Sequence, residues 1–207
     1  MRPDPRLPRG RGGLPRKAGA GLRGPVRAFV AIDVPPEAEA VLERLQERMP
    51  VGKPTDPETF HITLAFLGED LEEERVAEMH DGLSALRAPD FEVELRGLST
   101  FGAQHPAVLV ADVPRTEALD ELQARVASAA RRAGIVLERR RFKPHVTLAR
   151  FRYKVMGPDL ERLRRFLEAE ARFRLDPWSA GSFALYESVL TGDGAWHEEL
   201  ARYPLVR

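Results

Sequence analysis

The sequence predicts an α+β fold of two similar, pseudo-symmetric βαβ-type lobes, with mainly antiparallel sheets around a central cleft. A short motif occurs twice, as Phe60-His61-Ile62-Thr63-Leu64-Ala65-Phe66 and as Lys143-Pro144-His145-Val146-Thr147-Leu148-Ala149-Arg150. Strand-like and helix-like patterns follow a similar order around each copy. His61 and His145 lie 84 positions apart, a period too long and repeated too few times for a solenoid.

Arg27 to Asp33 is a β-prone apolar run that Pro35-Pro36 ends by removing backbone donors. Glu37 to Met49 carries Ala38, Val41, Leu42, Leu45 and Met49 at helical spacing. A polar loop from Pro50 to Glu58 leads into the first motif, which Gly68 closes, and Glu69 to Leu86 reads as a charged helix. Phe91 to Leu98 alternates Phe91, Val93 and Leu95 with Glu92, Glu94 and Arg96, the pattern of a half-buried strand. The second unit opens with a strand at Ala107 to Val113 and a helix at Thr116 to Ala133, stopped by Gly134. After the second motif come a helix near Asp159 to Ala171 and two strands, about Trp178 to Leu190 and Trp196 to Tyr203.

Residues 1–25 hold seven basic residues and one acid among Pro and Gly, with few large apolar side chains. Such a segment cannot offset its ordering entropy by burial, so a flexible basic tail is expected. An RNA-attracting arm and a targeting segment are two further readings of it. Val26 resembles a natural chain start, which suggests translation from Val26 and a single two-lobed domain over 26–207. Without the tail the chain has 25 basic and 31 acidic residues, a net charge of −6. That balance disfavours a broad nucleic-acid-binding face and points to a local phosphate pocket. Cysteine is absent, which excludes disulfides, thiolate zinc sites and cysteine nucleophiles. No stretch approaches the roughly 20 apolar residues of a membrane span. A cytoplasmic monomer with no membrane partner is expected.

Each motif has the form His-x-Thr-x-Ala with aliphatic x. Side chains alternate along a strand, so His61 and Thr63 share one face while Ile62 and Leu64 enter the core; His145 and Thr147 repeat this against Val146 and Leu148. Two imidazoles and two hydroxyls presented this way suit acid–base chemistry on a phosphate. The bland alternative is a pair of half-buried strands with hydrogen-bonded histidines. A metal site is a weaker rival, because neither motif contains a carboxylate or second histidine and threonine is a poor zinc ligand. No metal or cofactor is therefore expected. Strict alternation would put Arg150 on the face opposite His145, so a bulge or strand end would have to redirect it toward a phosphate. Its counterpart in the first copy is Phe66, so the pseudo-symmetry supplies only one guanidinium. Phe29 is a candidate for base stacking or for core packing. His80, His105 and His197 lack the motif and are expected on the surface or in loops.

The paired motifs resemble those of the 2H phosphoesterase (LigT-like) superfamily, and more narrowly the RNA 2′,3′-cyclic phosphodiesterases formerly called 2′-5′ RNA ligases. The resemblance covers about residues 26–207. It includes Arg27-Ala28-Phe29-Val30-Ala31-Ile32-Asp33, the first motif through Gly68, Arg141 to Arg150, and Tyr203-Pro204-Leu205. The tail before Val26 and Lys143, where arginine is commoner, depart from the usual pattern. The resemblance implies hydrolysis of 2′,3′-cyclic phosphate on RNA 3′ ends or nucleotides to a 2′-phosphate. It implies His145 as proton acceptor, His61 as proton donor, and Thr63, Thr147 and Arg150 as phosphate ligands. A 2′-5′ RNA ligase or cyclic-nucleotide phosphodiesterase of the same superfamily, or a noncatalytic binder of terminal phosphates or nucleotides, are the alternatives.

Overall fold

The computed structural model describes residues 25–191 and 194–206. Apart from Pro25, the expected tail lies outside the described residues. The elements are β1 (Val26–Asp33), α1 (Pro36–Glu47), β2 (Lys53–Pro54), a 3-10 turn (Pro57–Thr59), β3 (His61–Leu71), α2 (Glu73–Ser84), β4 (Phe91–Arg96), β5 (Leu98–Phe101), β6 (Val108–Asp112), α3 (Glu117–Arg132), β7 (His145–Arg150), α4 (Gly157–Ala169), β8 (Arg174–Ala180), β9 (Ser182–Thr191) and β10 (Gly194–Pro204).

The main sheet has the order β10-β9-β1-β3-β7-β6-β5, with β2 beside β7. Among the described residues its pairings are all antiparallel. The two lobes meet at β3 and β7, the motif strands, whose registered pair is Ile62 with Val146. Among the described residues four helices complete the structure, and none of them is long and apolar enough to cross a membrane.

Burial follows the apolar periods of the sequence. Ile62, Leu64, Val146 and Leu148 are buried with Leu42 and Leu45 of α1 and Leu119, Leu122 and Val126 of α3 in one core. Thr116 caps α3 by accepting a hydrogen bond from the Leu119 N–H.

Several boundaries differ from the sequence expectation, each for a reason of pairing. The strand predicted over Phe91 to Leu98 divides at Gly97, whose φ of +87° is accessible to glycine. Its first part, β4, pairs with β8 in a separate two-stranded ribbon; its second part, β5, joins the main sheet beside β6. The strand predicted over Trp178 to Leu190 likewise divides at Gly181, with β8 in the ribbon and β9 in the main sheet. The first motif strand runs through Gly68 to Leu71 because β1 continues to pair with it, so α2 starts at Glu73 rather than Glu69. The polar loop after α1 contains β2, which pairs with the end of β7.

Candidate active site

Antiparallel registry about Ile62–Val146 sets His61 toward Thr147 and His145 toward Thr63. All four side chains are half-buried on one face, while their neighbours Ile62, Leu64, Val146 and Leu148 are buried on the other. The alternation read from the sequence thus holds across the His-x-Thr segments.

Beyond the threonines the alternation breaks in both copies at the same place. On β7, Thr147 pairs with Val110 and Ala149 with Leu109, which leaves Leu148 as an extra residue. On β3, Thr63 pairs with Ala31 and Ala65 with Val30, leaving Leu64 extra. An extra residue shifts the face of everything after it. Arg150 pairs with Val108, which shares a strand face with Val110 and Asp112, so Arg150 lies on the His145 and Thr147 side. Phe66 takes the equivalent position in the first lobe. The guanidinium of Arg27 lies 4.8 Å from the centre of the Phe66 ring and is ion-paired with Glu69. A second guanidinium therefore stands near the mirror position, supplied by β1; the motif itself supplies only Arg150.

Both motif histidines are oriented in the same way. His61 Nδ1 lies 2.7 Å from the Thr59 carbonyl, and His145 Nδ1 lies 2.7 Å from the Lys143 carbonyl. A carbonyl only accepts, so each ring donates its Nδ1–H and keeps Nε2 for exchange of a proton. Each histidine also faces an aspartate on the neighbouring strand: Asp33 opposite His61 and Asp112 opposite His145. Asp33 accepts from the Tyr186 hydroxyl and is ion-paired with Arg202 at 2.6 Å. Asp112 accepts from the Ser99 hydroxyl at 2.7 Å.

Burial is the main influence on the two imidazoles. It pushes His61 down to about 4, with the Thr59 carbonyl opposing, His197 adding to the fall and Asp33 opposing it. Burial also lowers His145, against the Lys143 carbonyl and Asp112, with Arg150 contributing to the fall. Both rings are therefore mainly neutral at pH 7 in the free protein. An arriving anionic phosphate favours the protonated form of whichever ring it touches.

A pocket beside His61 is lined by Phe29, Asp33, Asp56, Tyr186, Trp196 and His197, among others. Phe29 is 5% exposed. Its ring stacks on Tyr186 at 5.3 Å and touches His61 at 4.7 Å and His197 at 4.9 Å between centroids. With its ring buried against these three neighbours, Phe29 packs beside His61. Trp196 is 49% exposed and supplies the open aromatic surface of this pocket.

His197 is the residue most clearly missed. Its ring centroid lies 5.3 Å from that of His61, so it belongs to the site and not to a remote surface. Only the β1–β9 and β9–β10 pairings bring it there, and no local motif signals them. His80 instead contacts the Tyr203 hydroxyl at 2.9 Å, and His105 lies between β5 and β6. Among the described residues no cluster of three or more His, Cys, Asp or Glu has a metal-holding arrangement.

The family model of the 2′-5′ RNA ligase superfamily matches residues 34–187. The chain belongs to this superfamily. Its relatives include proteins named RNA 2′,3′-cyclic phosphodiesterase. That of Archaeoglobus fulgidus is 30% identical over 179 residues, covering 84% of this chain and 98% of the relative. That of Thermus thermophilus is 31% identical over 191 residues, covering 87% and 90%. That of Geobacillus stearothermophilus is 34% identical over 129 residues, 59% of this chain but 41% of the longer relative. Among solved structures, TT0787 of Thermus thermophilus matches with a TM-score of 0.68 at 29% identity, covering 86% of this chain and 97% of that one. Escherichia coli LigT shares the fold, with a TM-score of 0.70 at 24% identity over 89% of this superfamily member and all of LigT.

Proposed function

We propose that this protein is an RNA 2′,3′-cyclic phosphodiesterase that opens the cyclic phosphate at an RNA 3′ end to a 2′-phosphate. The observation that carries this reading is the presentation of two imidazoles, each donating Nδ1–H to a backbone carbonyl, on one face with two threonine hydroxyls. The relatives that share most of the chain's length bear that name.

In the proposed reaction, water attacks phosphorus in line with the bond to the ribose 3′ oxygen. The new O–P bond forms as the P–O3′ bond breaks. His145 Nε2 takes the proton from water, and protonated His61 Nε2 gives one to O3′, so each turnover exchanges the protonation states of the rings. The Thr63 and Thr147 hydroxyls and the Arg150 guanidinium bind the non-bridging oxygens, whose charge they stabilise through the transition state. The same geometry run backward, with a ribose hydroxyl as nucleophile, would form a 2′-5′ linkage, which is the second reading and the activity that gives the superfamily its name.

The experiment is to offer RNA ending in a 2′,3′-cyclic phosphate and, separately, a nucleoside 2′,3′-cyclic phosphate, and to identify the products. A 2′-phosphate is expected. Binding without product would replace the reading by that of a phosphate binder, and a 3′-phosphate product would overturn the leaving-group assignment.

A further inference from the structure

Gln46 is one of two buried polar side chains among the described residues, 7% exposed near the end of α1. Its side-chain amide donates to two carbonyls, Thr55 and Leu148, both at 2.7 Å. A primary amide has two N–H donors, so these two bonds use its full donor capacity. Leu148 is the extra residue of the β7 bulge, and its carbonyl also accepts from the Thr55 N–H at 2.9 Å.

The same stretch of chain holds Arg150. The segment preceding Thr55 is β2, which pairs Lys53 with Arg150 and Pro54 with Ala149. One buried amide thus ties together β2 and the bulge that turns Arg150 onto the histidine face. Without the bulge, alternation returns Arg150 to the opposite face. The first lobe offers a comparison. There, Gln123 of α3 donates to the Leu64 carbonyl, the corresponding bulge residue, at 3.4 Å. The residue redirected by that bulge is Phe66, which has no charge to aim. The shorter, double-donor clamp is on the side that carries the arginine.

We propose that Gln46 is a positioning residue for the phosphate reaction, acting through the Leu148 bulge to set the direction of Arg150. This rests on Arg150 contacting the phosphate in the function proposed above. Gln46→Met keeps the volume and removes both donors. Misplacing a phosphate ligand by about 1 Å costs on the order of 10²-fold in rate, so a loss of kcat/KM near that size is expected.

The test is a double-mutant cycle with Arg150→Met, using Thr63→Ala as a control background. If Gln46 acts through Arg150, Gln46→Met lowers kcat/KM in the wild-type and Thr63→Ala backgrounds but changes the Arg150→Met enzyme by less than about twofold, the ordinary limit of additivity. An equal loss in all three backgrounds, or no loss in the wild type, overturns the proposal. Gln46→Asn, which retains an amide but withdraws it by one methylene, carries the same cycle if the methionine variant does not fold. Inorganic phosphate binding is measured alongside. If the wild-type chain does not turn over cyclic phosphate, the proposed function fails on that result alone, and the cycle is read from phosphate affinity: weakening by Gln46→Met that Arg150→Met abolishes supports the clamp, and weakening that persists defeats it.

Discussion

Ile62 pairs with Val146 where β3 meets β7, and this pair puts the two His-x-Thr motifs on one face of a continuous sheet. Both side chains are fully buried beneath the site. The pair therefore links core packing to the placement of His61 and His145, which precede them in sequence.

The pH dependence of kcat/KM follows from the two depressed imidazoles. In the proposed reaction the active form has one ring protonated and the other neutral. Below about 4, where His61 also takes a proton, no base remains. Above the lowered value of His145, which lies under its usual 6.5, no acid remains in the free protein. A bell-shaped profile with its maximum on the acidic side of 6.5 is expected from initial rates at low substrate concentration. A plateau extending through about pH 8 would contradict it.

Stability has its own pH dependence. His61 titrates near 6.5 when unfolded and near 4 when folded. The unfolded chain therefore binds more protons between those values, and stability falls as pH is lowered through that window. The effect of this group is on the order of 3 kcal/mol. Thermal unfolding midpoints should decline from about pH 7 to about pH 4 in the wild type, and less steeply in His61→Gln.

Arg150 is exposed at the end of β7, so Arg150→Met should leave the unfolding midpoint nearly unchanged. Loss of a charge stabiliser aimed at the reacting phosphate costs about 10²–10³-fold, and a fall of that order in kcat/KM is expected. Arg150→Lys should restore part of it, because an ammonium keeps the charge and loses the planar fork.

The reaction proposed above uses two imidazole Nε2 atoms and calls for no metal ligand. Activity measured after prolonged incubation with EDTA should equal that of the untreated protein. A strong loss restored by a divalent cation would contradict the two-histidine scheme.

Much of this site was legible in the chain because strand alternation is local. The His-x-Thr faces and the buried Ile62, Leu64, Val146 and Leu148 follow from a period of two residues. Arg150 was legible only as a problem: its parity was wrong, and the bulge at Leu148 depends on partners in α1, β2 and β6 that lie far away in sequence. His197 and Tyr186 carried no local signal, since the C-terminal hairpin reaches His61 only by pairing along β1. Arg27 stood within a recognisable strand, but its position over Phe66 is a cross-strand contact. The division of β4 from β5 turned on Gly97, whose pattern of neighbours continues smoothly in the sequence while the chain changes sheets.

The most direct measurement compares His61→Asn and His145→Asn with the wild type on two substrates: RNA ending in a 2′,3′-cyclic phosphate, and a nucleotide p-nitrophenyl phosphodiester whose leaving group needs no proton. General acid–base groups contribute about 10²–10⁴-fold each, so both folded variants should lose activity of that order on the cyclic phosphate. On the aryl ester His61→Asn should recover toward the wild-type rate while His145→Asn does not. Near-wild-type hydrolysis of the cyclic phosphate by either folded variant would contradict two-histidine catalysis, and recovery by His145→Asn alone would reverse the two roles.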